Sequence, residues 1–126
     1  MSIPHYNFSG NSYEQGLAHG ENLKESIKNN IEVYINRFQA EADIDKDDLL
    51  ENTALYLNVL RKQSPEYVNG INGIAESANM DIIEIAMLNL RYELLYHALG
   101  KRYQENVVDG CTSFAISPEA MDNNHL

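Results

Sequence analysis

The run from Ile82 to Leu95 constrains this chain more than any other stretch. Ile82, Ile83, Ile85, Ala86, Met87, Leu88, Leu90, Leu94 and Leu95 nearly encircle a helix of that length. A helix that is apolar all round belongs at the centre of a fold, not at its edge. Glu84, Asn89, Arg91 and Glu93 interrupt the run, which argues against a membrane span. Other helices must therefore cover it. Asp81 with Glu84 three places on is a capping-box start, and Gly100 is a C-terminal stop signal. Arg91 and Glu93 are two apart and do not face each other on a helix. Each is expected to find a partner elsewhere, with a structural ion pair favoured over a substrate contact.

Three helices upstream can supply the cover. Ile3 to Phe8 reads as a short strand or extended lead-in, ended by Ser9-Gly10. A helix starts at Asn11 or Ser12, with Ser12 and Gln15 in capping-box spacing and Tyr13, Leu17, Ile27, Ile31, Tyr34, Ile35, Phe38 and Ala42 on one face. Gly16 and Gly20 share a face, and each costs about 1 kcal/mol relative to Ala inside a helix. Close approach of another backbone is the simplest compensation. His19 lies between them and reads as half-buried structure. After the acidic break at Ile44–Asp48, Asp45 or Asp47 caps a second helix with Leu50, Ala54, Leu57 and Leu60 inside. Ser64-Pro65-Glu66 opens a third, burying Tyr67, Ile71, Ile74, Ala75 and Ala78 and ending at Asn79-Met80.

Beyond the polar stretch Lys101–Asn106, the pattern changes. Cys111, Ser113 and Ala115 alternate with Thr112, Phe114 and Ile116, the two-residue period of a β-strand. A lone strand leaves its backbone groups unpaired, so the chain reads as the front part of a longer protein, with 1–106 helical and 107–126 the start of a sheet. Cys111 is the sole cysteine and follows Gly110 directly. Its sulfur can attack the Gly110 carbonyl and shift the peptide to a thioester, which water opens to leave a chain headed by Cys111. The new α-amino group, with a reference pKa of about 7.7–8, can then serve as base for its own thiol. The competing reading is a small buried hydrophobe in a helical interaction module without enzymatic activity. Asp109 reads first as a solvated strand-edge charge and second as a group acting on the scissile region. Thr112 and Ser113 can line or assist the same site, and a purely structural serine fits equally well.

Composition narrows the partners. The 126 residues carry a formal net charge of -10, which disfavours nucleic acid and anionic membrane surfaces. A single cysteine precludes an internal disulfide and fits a reducing, cytoplasmic setting. His5, His97 and His125 show no metal-ligand spacing, so no metal is expected.

Three motifs together resemble one family. They are Gly16-Leu-Ala-His-Gly20, the run Ile71 to Ala78 followed by Asp81 and Leu88-Asn-Leu-Arg-Tyr-Glu93, and Asp109-Gly-Cys-Thr-Ser-Phe114. They are similar to the acyl-coenzyme A:6-aminopenicillanic acid (isopenicillin-N) acyltransferases, N-terminal-nucleophile hydrolases made as proenzymes. The resemblance implies an α+β fold, an αββα sandwich, for the full protein. It implies cleavage at Gly110–Cys111, then acyl transfer or amide hydrolysis through a thioester on Cys111. It implies no cofactor, acyl-coenzyme A being an acyl donor and so a substrate. Partners would be a small amide or acyl-thioester substrate and the rest of the same proenzyme, with room for a homo-oligomer. The family's downstream catalytic Asp and Asn match no residue here, so these 126 residues alone are expected to be inactive.

Overall fold

The computed structural model describes residues 4–102. Within them the chain forms four helices: α1 (Ser12–Ala42), α2 (Lys46–Gln63), α3 (Pro65–Ala78) and α4 (Ile82–Arg102). Residues 4–9 form an irregular lead-in, not a strand. The expected strand beginning near Val107 lies outside the described residues.

Three of the four helices start where a side chain satisfies one of the first amides. At α1 the cap is Asn11, one residue before the expected Ser12. Its Oδ1 accepts from the Glu14 amide at 2.9 Å, and Glu14 Oε2 accepts from the Asn11 amide at 2.8 Å. Gln15 instead donates to the Gly10 carbonyl at 2.7 Å. Gly10 turns the chain into this cap with a φ of 98°, a conformation open to glycine at little cost. Asp45 caps α2 through the Asp48 amide, 2.9 Å away. Pro65 opens α3, but Ser64 contributes no side-chain cap bond. Asp81 accepts from the Ile83 amide at 2.7 Å. Glu84 completes no box with it and pairs with Lys46 of α2 at 3.0 Å. Gly100 does not stop α4, which continues to Arg102; a Cβ at 100 would meet none of the described residues within 4 Å.

The paired glycines of α1 are explained by α3. A Cβ added at Gly16 would lie 2.2 Å from the Gly70 carbonyl oxygen, and one at Gly73 would lie 2.3 Å from that of Tyr13. The two backbones touch, and only hydrogen fits between them. The contact is clasped at its rim by Tyr13, whose hydroxyl donates to Glu76 at 2.6 Å. Past this contact α1 is kinked at Leu23, with φ −121° and ψ 17°. One residue earlier, the Asn22 side chain donates to the Ala18 carbonyl at 2.7 Å, competing with the helix's own ladder.

The core forms below that clasp. Ile27, Ile31 and Phe38 of α1 join Leu49 and Leu57 of α2, Val68, Ile71 and Ala75 of α3, and Ile85, Ala86, Met87, Leu90 and Leu94 of α4. As its apolar circumference requires, α4 packs on all three other helices. Two faces are turned by about one residue from the expected stripes. In α2 the buried positions are Leu49, Thr53 and Leu57, with Leu50, Ala54 and Leu60 half-buried. Thr53 is tolerated at full burial because its hydroxyl donates to the Leu49 carbonyl at 2.8 Å. In α3, Val68 takes the interior place expected of Tyr67. Tyr67 is 48% exposed and donates its hydroxyl to Asn89 at 2.9 Å.

Candidate functional site

Cys111, Gly110, Asp109, Thr112 and Ser113, the residues that carry the proposed chemistry, lie outside the described residues. What the structure describes is the helical platform that leads to them, and α4 is the element that runs into them.

A broad open groove runs between the middle of α1 and the α3–α4 junction. Ile31, Ile35 and Ile82 give it an apolar floor, and Lys24, Lys28 and Glu32 stand at its rim. Among the described residues its lining holds no thiol, hydroxyl or imidazole. Its ionisable groups are the carboxylates of Glu25, Glu32, Glu76, Asp81 and Glu84 and the amines of Lys24, Lys28 and Lys46, which are possible acid–base groups but include no cysteine or serine nucleophile. His19 lies outside this groove. Its ring stacks on Phe8 at 5.8 Å, and Phe8 stacks on Tyr6 at 6.2 Å. The imidazole thus pins the lead-in to α1. His5 and His97 are exposed. Among the described residues no three of His, Cys, Asp and Glu come together as a metal site would require. Nor is any described helix long and apolar enough to cross a membrane.

The unusual side chain is Arg91. The expected ion pair is absent among the described residues, where the ion pairs are Arg37–Glu41 and Lys46–Glu84. Arg91 is half-buried and held by aromatic rings instead. Its guanidinium carbon lies 5.4 Å from the Tyr34 ring centroid and 4.7 Å from that of Tyr92. Its Nε donates to the Tyr34 hydroxyl at 3.2 Å, and a terminal nitrogen donates to the Leu88 carbonyl. Cation–π contacts and neutral acceptors satisfy the group without neutralising it. Glu93, expected inside the same helix, is exposed. No sequence signal joins Tyr34 to Arg91 across 57 positions.

Three titrating groups carry directional shifts, among them Arg37, pushed up first by its hydrogen bond to Glu41. The Tyr13 phenol is pushed above its ordinary value, first by its hydrogen bond to Glu76, then by desolvation and the Glu76 charge. Glu41 is held below the usual carboxylate range by its hydrogen bond to Arg37. These contacts tie structure together, and of their residues Glu76 also lines the groove.

No family model matches the chain. A curated relative does, at 28% identity over 109 residues, covering 86% of this chain and 29% of the relative. That relative is the acyl-coenzyme A:6-aminopenicillanic-acid-acyltransferase 40 kDa form of Emericella nidulans. The chain is distantly similar to an acyltransferase. It spans less than a third of the Emericella nidulans enzyme's length. A stretch of 109 residues in a chain of 126 must take in everything from residue 18 to residue 109. The likeness to the acyltransferase therefore runs through all of α2, α3 and α4.

Proposed function

We propose that this chain is the N-terminal, helical part of a self-cleaving cysteine acyltransferase or amide hydrolase, with 1–106 as the helical segment and 107–126 as the start of the nucleophile-bearing sheet of an αββα sandwich. The observation that carries the reading is the acyltransferase similarity spanning α2 to α4, which leads straight into Asp109-Gly110-Cys111-Thr112.

The chemistry assigned to Cys111 balances in two stages. In the first, the thiol gives up its proton and sulfur bonds to the Gly110 carbonyl carbon. The Gly110–Cys111 C–N bond breaks, the Cys111 nitrogen takes a proton, and a thioester results. Water then adds to that carbonyl, giving a Gly110 carboxylate and a free thiol. In the second, the freed α-amine accepts the thiol proton as the sulfur attacks a substrate acyl carbon. The amine or thiol leaving group departs with a proton, and the acyl group passes from sulfur to an acceptor or to water. Asp109, Thr112 and Ser113 are the neighbours placed to assist. Acyl-coenzyme A or a small amide is the substrate class. The remaining groups, including any oxyanion stabilisation, would come from further along the same polypeptide.

The test is intact-mass analysis of the full reading frame expressed in a reducing cytosol. Two chains are expected, the larger beginning at Cys111, and Cys111→Ala is expected to remain one chain. A single uncut chain in the parent, together with a thiol that resists labelling in the native state, would instead establish the helical-module reading.

A further inference from the structure

We propose that the slot formed by Tyr34, Arg91 and Tyr92 is the docking site for the segment that follows α4, and that the Asp109 carboxylate is the anion it receives.

The slot has the features of a half-made ion pair. Arg91 keeps its positive charge between two rings, with Tyr34 and the Leu88 carbonyl as its hydrogen-bond acceptors. The outer wall, Tyr92, is 53% exposed, and Tyr96 one turn further along α4 is 56% exposed. An apolar, aromatic stripe with a cation at its end therefore leads from the end of α4 back along the helix.

The following segment complements this stripe in charge and in apolar content. Residues 103–126 contain Glu105, Asp109, Glu119 and Asp122 but no lysine or arginine. Val107, Val108, Phe114 and Ile116 supply apolar side chains. Reach selects among the acids. Arg91 lies eleven residues before Arg102, or ~16 Å back along a helix at ~1.5 Å per residue. Glu105 follows Arg102 by three residues, an extended span of ~10 Å, which is too short. Asp109 follows by seven, giving up to ~23 Å, enough for the reversal and the return. Asp109 is the first carboxylate after α4 that can reach the guanidinium, and a charge-assisted pair between them would supply Arg91 with the anion that the described residues do not offer it.

Where the cysteine-nucleophile reading also holds, Arg91 becomes a positioning residue. It would hold the peptide before Gly110–Cys111 against the rigid helix, acting through Asp109 and not on the reacting atoms. The docking itself does not require the thiol to react.

The chain has one cysteine and no tryptophan, which allows a direct test. In a Tyr92→Trp variant of the full chain, a nitroxide attached to Cys111 is expected to quench the indole at short range. Asp109→Asn and Arg91→Gln are each expected to relieve that quenching at least three-fold, and their combination no further. Arg91→Asp with Asp109→Arg is expected to restore it. Quenching that is absent, or unchanged by Asp109→Asn, would overturn the proposal. Quenching that grows with protein concentration would overturn it too, by placing the segment on a second copy. Asp109→Asn changes no residue of α1 to α4, and the restoring charge swap separates loss of the pair from misfolding. The label blocks the thiol, so docking is read separately from cleavage.

Discussion

At single positions the decisive quantity is the space left for a Cβ. Gly73→Ala would set a methyl 2.3 Å from the Tyr13 carbonyl oxygen and 2.8 Å from the Leu17 amide nitrogen. Both are backbone atoms inside α1, so neither can swing aside. The helices must separate, and the cost should reach the upper part of the ~1–3 kcal/mol range for overpacking or exceed it. Gly100→Ala is the opposite case, because none of the described residues stands within 4 Å of the new atom. There the reduced freedom of the unfolded chain dominates, and a gain of ~0.5–1 kcal/mol is expected. Urea unfolding of the two variants should move the midpoint in opposite directions. Tyr13 offers a pH test at the same contact. Its phenol is raised by Glu76, so the stability it contributes is complete below the unfolded-state pKa and is lost as pH rises through the folded value. Ultraviolet titration should show one late-ionising tyrosine, which Glu76→Gln brings back toward the ordinary range and Tyr13→Phe removes.

At the level of helices, the ends separate sequence signals that act from those that do not. Asn11 and Ser64 both precede helices, yet Asn11 accepts from the Glu14 amide while Ser64 makes no side-chain cap bond. Asn11→Ala should therefore lower stability by about 1 kcal/mol and Ser64→Ala by only a few tenths, read as shifts in thermal midpoint. This contrast also shows what was legible in the sequence. The four helices could be read there because each begins with a polar cap or Pro and carries a long apolar period. The α1 glycine pair could be read as a close backbone approach because nothing else offsets its helix cost. The facial errors have a local cause. In α3 Val68 and Tyr67 are adjacent and both apolar, and the choice fell to Asn89, a partner 22 residues away that holds the tyrosine hydroxyl outside. In α2 a threonine outside the expected inner stripe is interior, because it satisfies itself on the preceding turn. The Arg91 slot was illegible for the same reason in stronger form, since its rings come from α1 and from α4's outer face.

For the molecule as a whole, the governing term is charge distribution. All nine lysines and arginines precede residue 103, whereas four of the nineteen acids follow it. The helical platform is thus acidic overall, and the segment after it is acidic without exception. General repulsion between them works against any return along α4, so a docked segment needs a local cation stripped of competing carboxylates. Arg91, walled by Tyr34 and Tyr92, meets that need. Salt acts on the two contributions differently. The long-range repulsion is spread over a net charge of -10 and fades as the screening length falls from ~30 Å at 0.01 M to ~8 Å at 0.15 M. A contact pair partly shielded by rings is screened much less. Raising sodium chloride over that range should therefore increase the thermal midpoint of the full chain, because self-repulsion of the compact state is the larger loss. A midpoint that falls instead would mean that exposed pairs such as Lys46–Glu84 outweigh the net charge. Lys46→Met, which removes that cross-helix pair at 3.0 Å, should then abolish the salt effect; on the present account it leaves the rise in place and makes it slightly steeper, since the chain becomes more negative by one charge.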